Sequence, residues 1–215
     1  MFKLVLIGTI IASAVALRHP VNEDHVAEIK KRATSWTPME VADNPLSKLT
    51  VDEIYGMLGA IHAEKNPQIP GAPPTPVNAV TNFDWTTAMK GAVHAIRDQA
   101  SCGSCWAFGA SEELTDRYFI ATNGATDVVL SPQDLVSCDP VDMGCNGGWL
   151  LAAHNQMERV GIVSDACMPY TSGKGFSGNC PATCTGTGSM TKYKCAKGSV
   201  WQAPAGNFDA IKNDL

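Results

Sequence analysis

The chain has 215 residues and a formal net charge of −5. That length allows one domain with a real core, or a small domain behind a processing segment. Its longest basic run is Lys30-Lys31-Arg32, which excludes a nucleic-acid-binding surface of the usual kind.

The first 16 residues read as a secretory leader. Lys3 supplies the positive start, Leu4 to Val15 is an apolar run too short to span a bilayer comfortably, and Ala14-Val15-Ala16 is a small-x-small cleavage pattern. No membrane association is expected once it is removed. From residue 17 to about 66 the chain is polar and free of cysteine. Asn22 to Ala33 predicts a helix with Val26, Ile29 and Ala33 on one face. Thr50 to Ile61 predicts another, opened by a Thr50–Glu53 capping box, with Ile54, Leu58 and Ile61 at helical spacing. Pro67 to Pro76 holds five prolines and a glycine, and reads as an exposed, extended linker.

Residues 105 to about 121 suit a buried helix with Ala107, Ala110, Leu114 and Tyr118 along one face. Ser131-Pro132-Gln133-Asp134 is a helix start: serine as cap, proline at the first helical position, an acid in the first turn. Trp149 to Val160 predicts a third helix, stopped by Gly161, with Trp149, Leu150, Met157 and Val160 expected in the core. Residues 171 to 199 are rich in Gly, Ser, Thr and Cys and read as disulfide-tied loop. Asn207 is placed to cap a last helix with Phe208, Ile211 and Leu215 as its apolar positions, and the abrupt end inside that pattern reads as a truncation.

The chemistry concentrates in Gln99-Ala100-Ser101-Cys102-Gly103-Ser104-Cys105-Trp106-Ala107-Phe108. A thiol is a weak nucleophile until it ionises, and Cys105 falls at a helix start, where free amides and the helix dipole favour the thiolate. Gln99, six residues earlier, can aim an amide at a developing oxyanion together with the Cys105 amide. A base, usually histidine, must still pair with the thiol. Two other readings use the same cysteines: Cys102-x-x-Cys105 as a redox pair, and Cys102, Cys105, Cys138 and Cys145 as a zinc site. The glutamine and the following Trp-Ala-Phe have no redox role, and a secreted chain with scattered cysteines favours bridges over metal.

This segment resembles the nucleophile block of papain-type cysteine peptidases. Leu130 to Cys138 and Cys145-Asn146-Gly147-Gly148 are similar to the next two family blocks, in order. Ile96 to Gln99, Phe108-Gly109-Ala110 and Ala33 to Thr37 lean towards the cathepsin B-like kind. The resemblance implies an α+β, two-lobe papain-like fold, with the helical left lobe present and the β-barrel right lobe largely missing from this chain. It implies residues 1–16 as signal peptide, 17–76 as propeptide and linker, and 77–215 as the first part of a peptidase domain. It implies a cysteine-type endopeptidase made as a zymogen, with Cys105 as nucleophile, Gln99 as oxyanion donor, and Gly147 and Gly148 lining the cleft. The implied bridges are Cys102–Cys145, Cys138–Cys180 and Cys167–Cys184, leaving Cys195 unpaired. Expected partners are protein or peptide substrates and the chain's own propeptide in the cleft, with no cofactor, no metal and no nucleic acid. The protein is expected as a monomer of the secretory route, in a lysosome- or vacuole-like compartment or outside the cell.

Three departures accompany the match. None of His19, His25, His62, His94 and His154 has the flanking residues of the family's catalytic histidine, and its orienting asparagine is also missing, so the chain alone is expected to be inactive. Tyr170 to Cys180 is short and lacks histidine, so the histidine-bearing loop that occludes the cathepsin B cleft is absent and an open, endopeptidase cleft is expected. No Asn-x-Ser/Thr sequon occurs. The alternative is a non-catalytic product that binds or inhibits another peptidase.

Overall fold

The computed structural model describes residues 18–61, 82–202 and 208–212, so the predicted leader, the predicted linker and His62 lie outside the described residues. The chain divides into two compact units, 1–54 and 55–215.

In the first unit, helix α1 (Glu23–Arg32) forms where the periodicity places it, with Asn22 and Ala33 as its caps. The Asn22 side chain accepts from the His25 amide at 3.0 Å. Glu23 and Asp24 open the helix and Lys30, Lys31 and Arg32 close it, each sign at the end where the dipole favours it. The next helix begins with the predicted capping box: the Thr50 amide donates to Glu53 Oε2 at 2.7 Å and the Glu53 amide to Thr50 Oγ1 at 3.2 Å. This helix, α2, runs Val51–Met57 and stops four residues short of the predicted end. Val26 and Ile54 are the buried side chains of the two helices.

The second unit is built on α4 (Cys105–Ala121), which follows a single turn of helix, α3 (Trp85–Ala88). Around α4 pack α5 (Pro132–Cys138) and α6 (Leu150–Arg159). A short α7 (Phe208–Lys212) closes the described chain; its predicted cap, Asn207, is outside the described residues. The core joins Trp106, Ala107, Ala110 and Leu114 of α4 to Leu135 and Val136 of α5 and Ala153 and Met157 of α6, with Leu130 and Ile162 between. Trp149 is half-buried and Leu150 and Val160 are exposed, so of the four α6 residues expected in the core only Met157 is fully buried. Gly161, at φ +82°, makes the helix stop, and an added Cβ would meet Tyr193 O at 2.7 Å.

Ser131 caps α5 by accepting the Asp134 amide at 3.1 Å. Asp134, expected merely as a first-turn acid, is buried: its Oδ2 accepts from the Val163 amide at 2.7 Å and Lys192 Nζ at 2.6 Å, tying α5 to two distant loops. Among the described residues, β-structure is limited to isolated bridges, of which Leu130–Ser164 and Ile162–Tyr193 are antiparallel and Ala60–Gly148 is parallel. Three disulfides, Cys102–Cys145, Cys138–Cys180 and Cys167–Cys184, tie down the loops.

Candidate active site

Cys105 is the first residue of α4 and is a free, half-buried thiol. The amides in the first turn of a helix have no intrahelical acceptor. Ser104 sits at the cap position but makes no side-chain cap bond. Its hydroxyl is taken instead by Tyr170 at 2.8 Å. The Tyr170 hydroxyl donates to Gln99 O at 2.9 Å, so Ser104 is the donor in the first of these bonds. Burial holds the Tyr170 phenol above its ordinary range, so it stays a donor. Ser104 therefore braces the Gln99 backbone and leaves the helix start uncapped beside the thiol.

Gln99 lies in a tightly held loop. The Ala100 amide reaches Asp98 Oδ1 at 2.8 Å, Ala100 takes a left-handed φ of 50°, and the Ser101 amide donates to Gly173 O at 3.0 Å. The Gln99 side-chain amide donates to Cys102 O at 2.8 Å and to Met57 O at 2.6 Å. The donor expected to face an oxyanion thus already holds a carbonyl oxygen.

The Met57 carbonyl begins a non-helical strip, Leu58 to Ile61, which replaces the predicted end of α2. The Gly148 amide donates to Gly59 O at 2.8 Å, and the Ile61 amide donates to Gly148 O at 3.0 Å. These two bonds replace the helix bonds the strip gives up. Close approach is possible because glycines face one another. A Cβ on Gly59 would sit 1.8 Å from Gly103 O, and one on Gly147 would sit 2.8 Å from Gly59 O. A Cβ on Gly148 would meet the Trp106 ring at 2.6 Å. The Cys102–Cys145 bridge and the bond from the Gly103 amide to Cys145 O at 3.0 Å join the thiol loop to this two-glycine ledge. The structure brings Gln99, Gly147 and Gly148 to one strip of chain, with Cys105 two residues beyond Gly103.

The two histidines described in this unit are engaged elsewhere. His94 Nδ1 meets Asp116 at 2.7 Å and Nε2 meets Asp127 at 3.0 Å. Burial alone would lower this imidazole, but the two aspartates outweigh it and raise it. His154 Nδ1 lies 2.6 Å from Leu150 O and Nε2 2.8 Å from Glu113. Burial is again opposed by the carboxylate, and the ring is raised; His154 in turn holds Glu113 down at about 2. Neither ring has a nitrogen left for a thiol. Cys195, the other free thiol, is pushed up to about 11 by burial and by Glu113 and Glu158, which keeps it protonated and unreactive. Beside the ledge a cavity of about 540 Å³ is lined by Ile61, Gly148, Trp149, Leu150, Glu113 and His154, among others. Exposed Leu150 lines this cavity rather than the core.

Sequence reasoning missed the strip Met57–Ile61 as part of the site. Its signal was present: Gly56 and Gly59 within a supposed helix weaken that assignment.

A half-buried thiol opening a core helix, disulfide-tied to a two-glycine ledge, is the arrangement of a papain-like fold. The family model described as "Papain family cysteine protease" matches residues 79–214, and the chain belongs to that family. Among curated relatives it is 33% identical over 200 residues to "Cathepsin B-like CP3" of Giardia intestinalis, covering 91% of this chain and 64% of that protein. It is 35% identical over 173 residues to "Cathepsin B" of Dictyostelium discoideum, covering 80% of this chain and 54% of that protein. The chain thus spans a little over half to just under two thirds of these relatives. Among solved structures, proCathepsin B S9 from Trypanosoma congolense superposes with a TM-score of 0.75 at 24% identity, over 91% of this chain and 69% of that one, a likeness of fold. No helix among the described residues is long and apolar enough to cross a membrane.

Proposed function

We propose that this chain belongs to the proform of a cysteine-type endopeptidase of the cathepsin B-like kind. Cys105 attacks the scissile carbonyl, the Gln99 side-chain amide and the Cys105 backbone amide stabilise the oxyanion, and Gly147 and Gly148 hold the substrate's extended backbone. The single observation that carries this reading is that one stretch of backbone already engages two of these groups, Gln99 and Gly148. Met57 O rests on the Gln99 amide while Gly59 and Ile61 pair with Gly148. What the segment does, a peptide substrate does in its place. Residues 1–16 are then a signal peptide, 17–76 a propeptide that occupies the cleft until removed, and 77–215 the first part of the peptidase domain, with helices α3 to α6 in its helical lobe. The β-barrel lobe is read as lying largely outside this chain. The compartment is the secretory route, ending in a lysosome- or vacuole-like compartment or outside the cell, where the protein acts as a monomer on protein or peptide substrates.

Proton transfer needs an imidazole beside the thiol. His94 and His154 have both ring nitrogens committed, which supports a base supplied from outside the described residues. The same observation favours a second reading, in which these 215 residues bind and inhibit a peptidase instead of cleaving. A fluorogenic peptide assay tests both. The chain alone is expected to give no turnover above its Cys105→Ala variant, and clear turnover abolished by that substitution would overturn the reading of the base. Titrating an active papain-family peptidase with the chain separates the two: inhibition at stoichiometric concentration supports the second reading, and its absence removes it.

A further inference from the structure

Behind the ledge lies the turn between α5 and Gly144, and it holds two carboxyl groups the proposed chemistry does not use. Asp139 caps α5, and its Oδ1 accepts the amides of Val141 at 2.8 Å and Asp142 at 3.4 Å. Asp142 Oδ1 accepts the Trp149 amide at 2.8 Å, next to Gly148. The second oxygen of each carboxyl, Oδ2, is fully buried and has no hydrogen-bond partner. The Trp149 indole N–H is likewise unpartnered, so it does not supply the missing donor. The two carboxyls belong to one tight turn, in which Asp139 accepts the Asp142 amide, and the Asp139 charge acts on Asp142. The Asp142 carboxyl carbon and the Trp106 ring both lie within 3 Å of where a Gly148 Cβ would stand, so they back the ledge directly. Of the charged groups among the described residues, Asp139 is the one that acts on Asp142; its other neighbours here are the Trp149 amide, the Gly148 backbone and the Trp106 indole.

Ionised carboxyls are acceptors only, so the two buried Oδ2 atoms both lack a donor and the two charges repel. One proton between them satisfies both. We propose that Asp139 and Asp142 share a single proton, and that this acid pair latches the Gly147–Gly148 ledge in the geometry that grips extended backbone. Asp142 is then a positioning residue, and the proposal rests on the peptide-binding reading of the ledge given above. Burial, with the Asp139 charge, pushes Asp142 up to about 7. A carboxyl raised in the closed state stabilises that state fully below its ordinary value of 3.8, and the contribution is lost as pH rises from there to about 7. The ledge therefore grips in acid and loosens towards neutrality.

Amide hydrogen exchange in the intact chain tests this, expressed as protection factors so that intrinsic pH dependence cancels. The Gly148 and Ile61 amides, which bridge ledge and segment, should be protected at pH 4.5. They should lose protection about tenfold per unit as pH rises, roughly a hundredfold by pH 7, and then level off. In Asp142→Asn the side-chain amide donates permanently to Asp139, so protection should stay high and flat across that range. In Asp142→Leu it should be low throughout. Wild-type protection equal at pH 4.5 and 7, or an Asn variant that follows the wild-type profile, overturns the latch and leaves the ledge reading standing. Absence of protection at pH 4.5 overturns both.

Discussion

Gly59 offers the sharpest test of how the segment sits in the cleft. A methyl group there would stand 1.8 Å from Gly103 O, a backbone atom that cannot swing aside. Gly59→Ala should therefore lift residues 57–61 off the site. Three hydrogen bonds go with them: Gln99 to Met57 O, Gly148 to Gly59 O, and Ile61 to Gly148 O. At about 1 kcal/mol net each, the loss is about 3 kcal/mol. Since ~1.4 kcal/mol is a factor of ten, the vacant cleft should gain roughly a hundredfold in population. The assay is the second-order rate of Cys105 alkylation by a peptidyl chloromethyl ketone, which needs the ledge, compared with iodoacetamide, which does not. The peptidyl reagent should react up to roughly a hundredfold faster with the variant, while iodoacetamide changes much less. Gly56→Ala is the control, because a Cβ there meets nothing within 4 Å, and its rate should match wild type. Equal peptidyl rates for Gly59→Ala and wild type would mean that residues 57–61 do not block Cys105.

Other perturbations probe the frame. Glu113 is held down by His154, so its contribution is present above its ordinary value of 4.5 and is lost as pH falls towards about 2. His154 is raised, so its contribution is complete below 6.5 and is lost as pH rises through the raised value. The pair is worth most between those limits. Glu113→Gln should lower Tm by about 2–4 °C at pH 5.5 and by less at pH 9, and equal deficits at both would count against the pairing. Leu135→Ala, at a fully buried position between α4 and α5, should cost about 2–5 kcal/mol in denaturant unfolding. A cost below about 1 kcal/mol would mean the core is not packed as described. Replacing Cys138 and Cys180 together by serine opens a link spanning 42 residues and should cost about 2–4 kcal/mol in the same measurement, with no loss expected if the bridge is not formed in solution.

The sequence was most legible where one local rule decides the outcome. The caps Thr50 and Ser131 follow from side chains satisfying nearby backbone groups, the stop at Gly161 from a residue free to take positive φ, and the helix from Cys105 from its apolar spacing. It was least legible where distant chain segments compete. Ile54, Leu58 and Ile61 keep helical spacing, yet the helix ends at Met57 because Gly148, far along the chain, offers the strip two ladder bonds. Leu150 and Val160 fit an amphipathic pattern but face the cavity and solvent, since periodicity cannot say which elements cover a face. Asp134 looked like an ordinary first-turn acid, and only the fold brings Lys192 to it. The pairing of cysteines came through the family likeness, because spacing leaves the connectivity open. The acid pair at Asp139 and Asp142 left no mark in the sequence beyond two aspartates three residues apart.

The central claim is that peptide backbone lies along Gly148 with its carbonyl directed to Gln99 and Cys105. Tandem mass spectrometry of the chain labelled with one equivalent of a peptidyl chloromethyl ketone tests it most directly. An adduct is expected on Cys105 with Cys195 unlabelled, and in Gly59→Ala, whose cleft is vacated, labelling should be suppressed by excess free peptide of the sequence Met57 to Ile61. Labelling of Cys195, or of Cys105 in that variant at a rate the peptide does not affect, would contradict the claim.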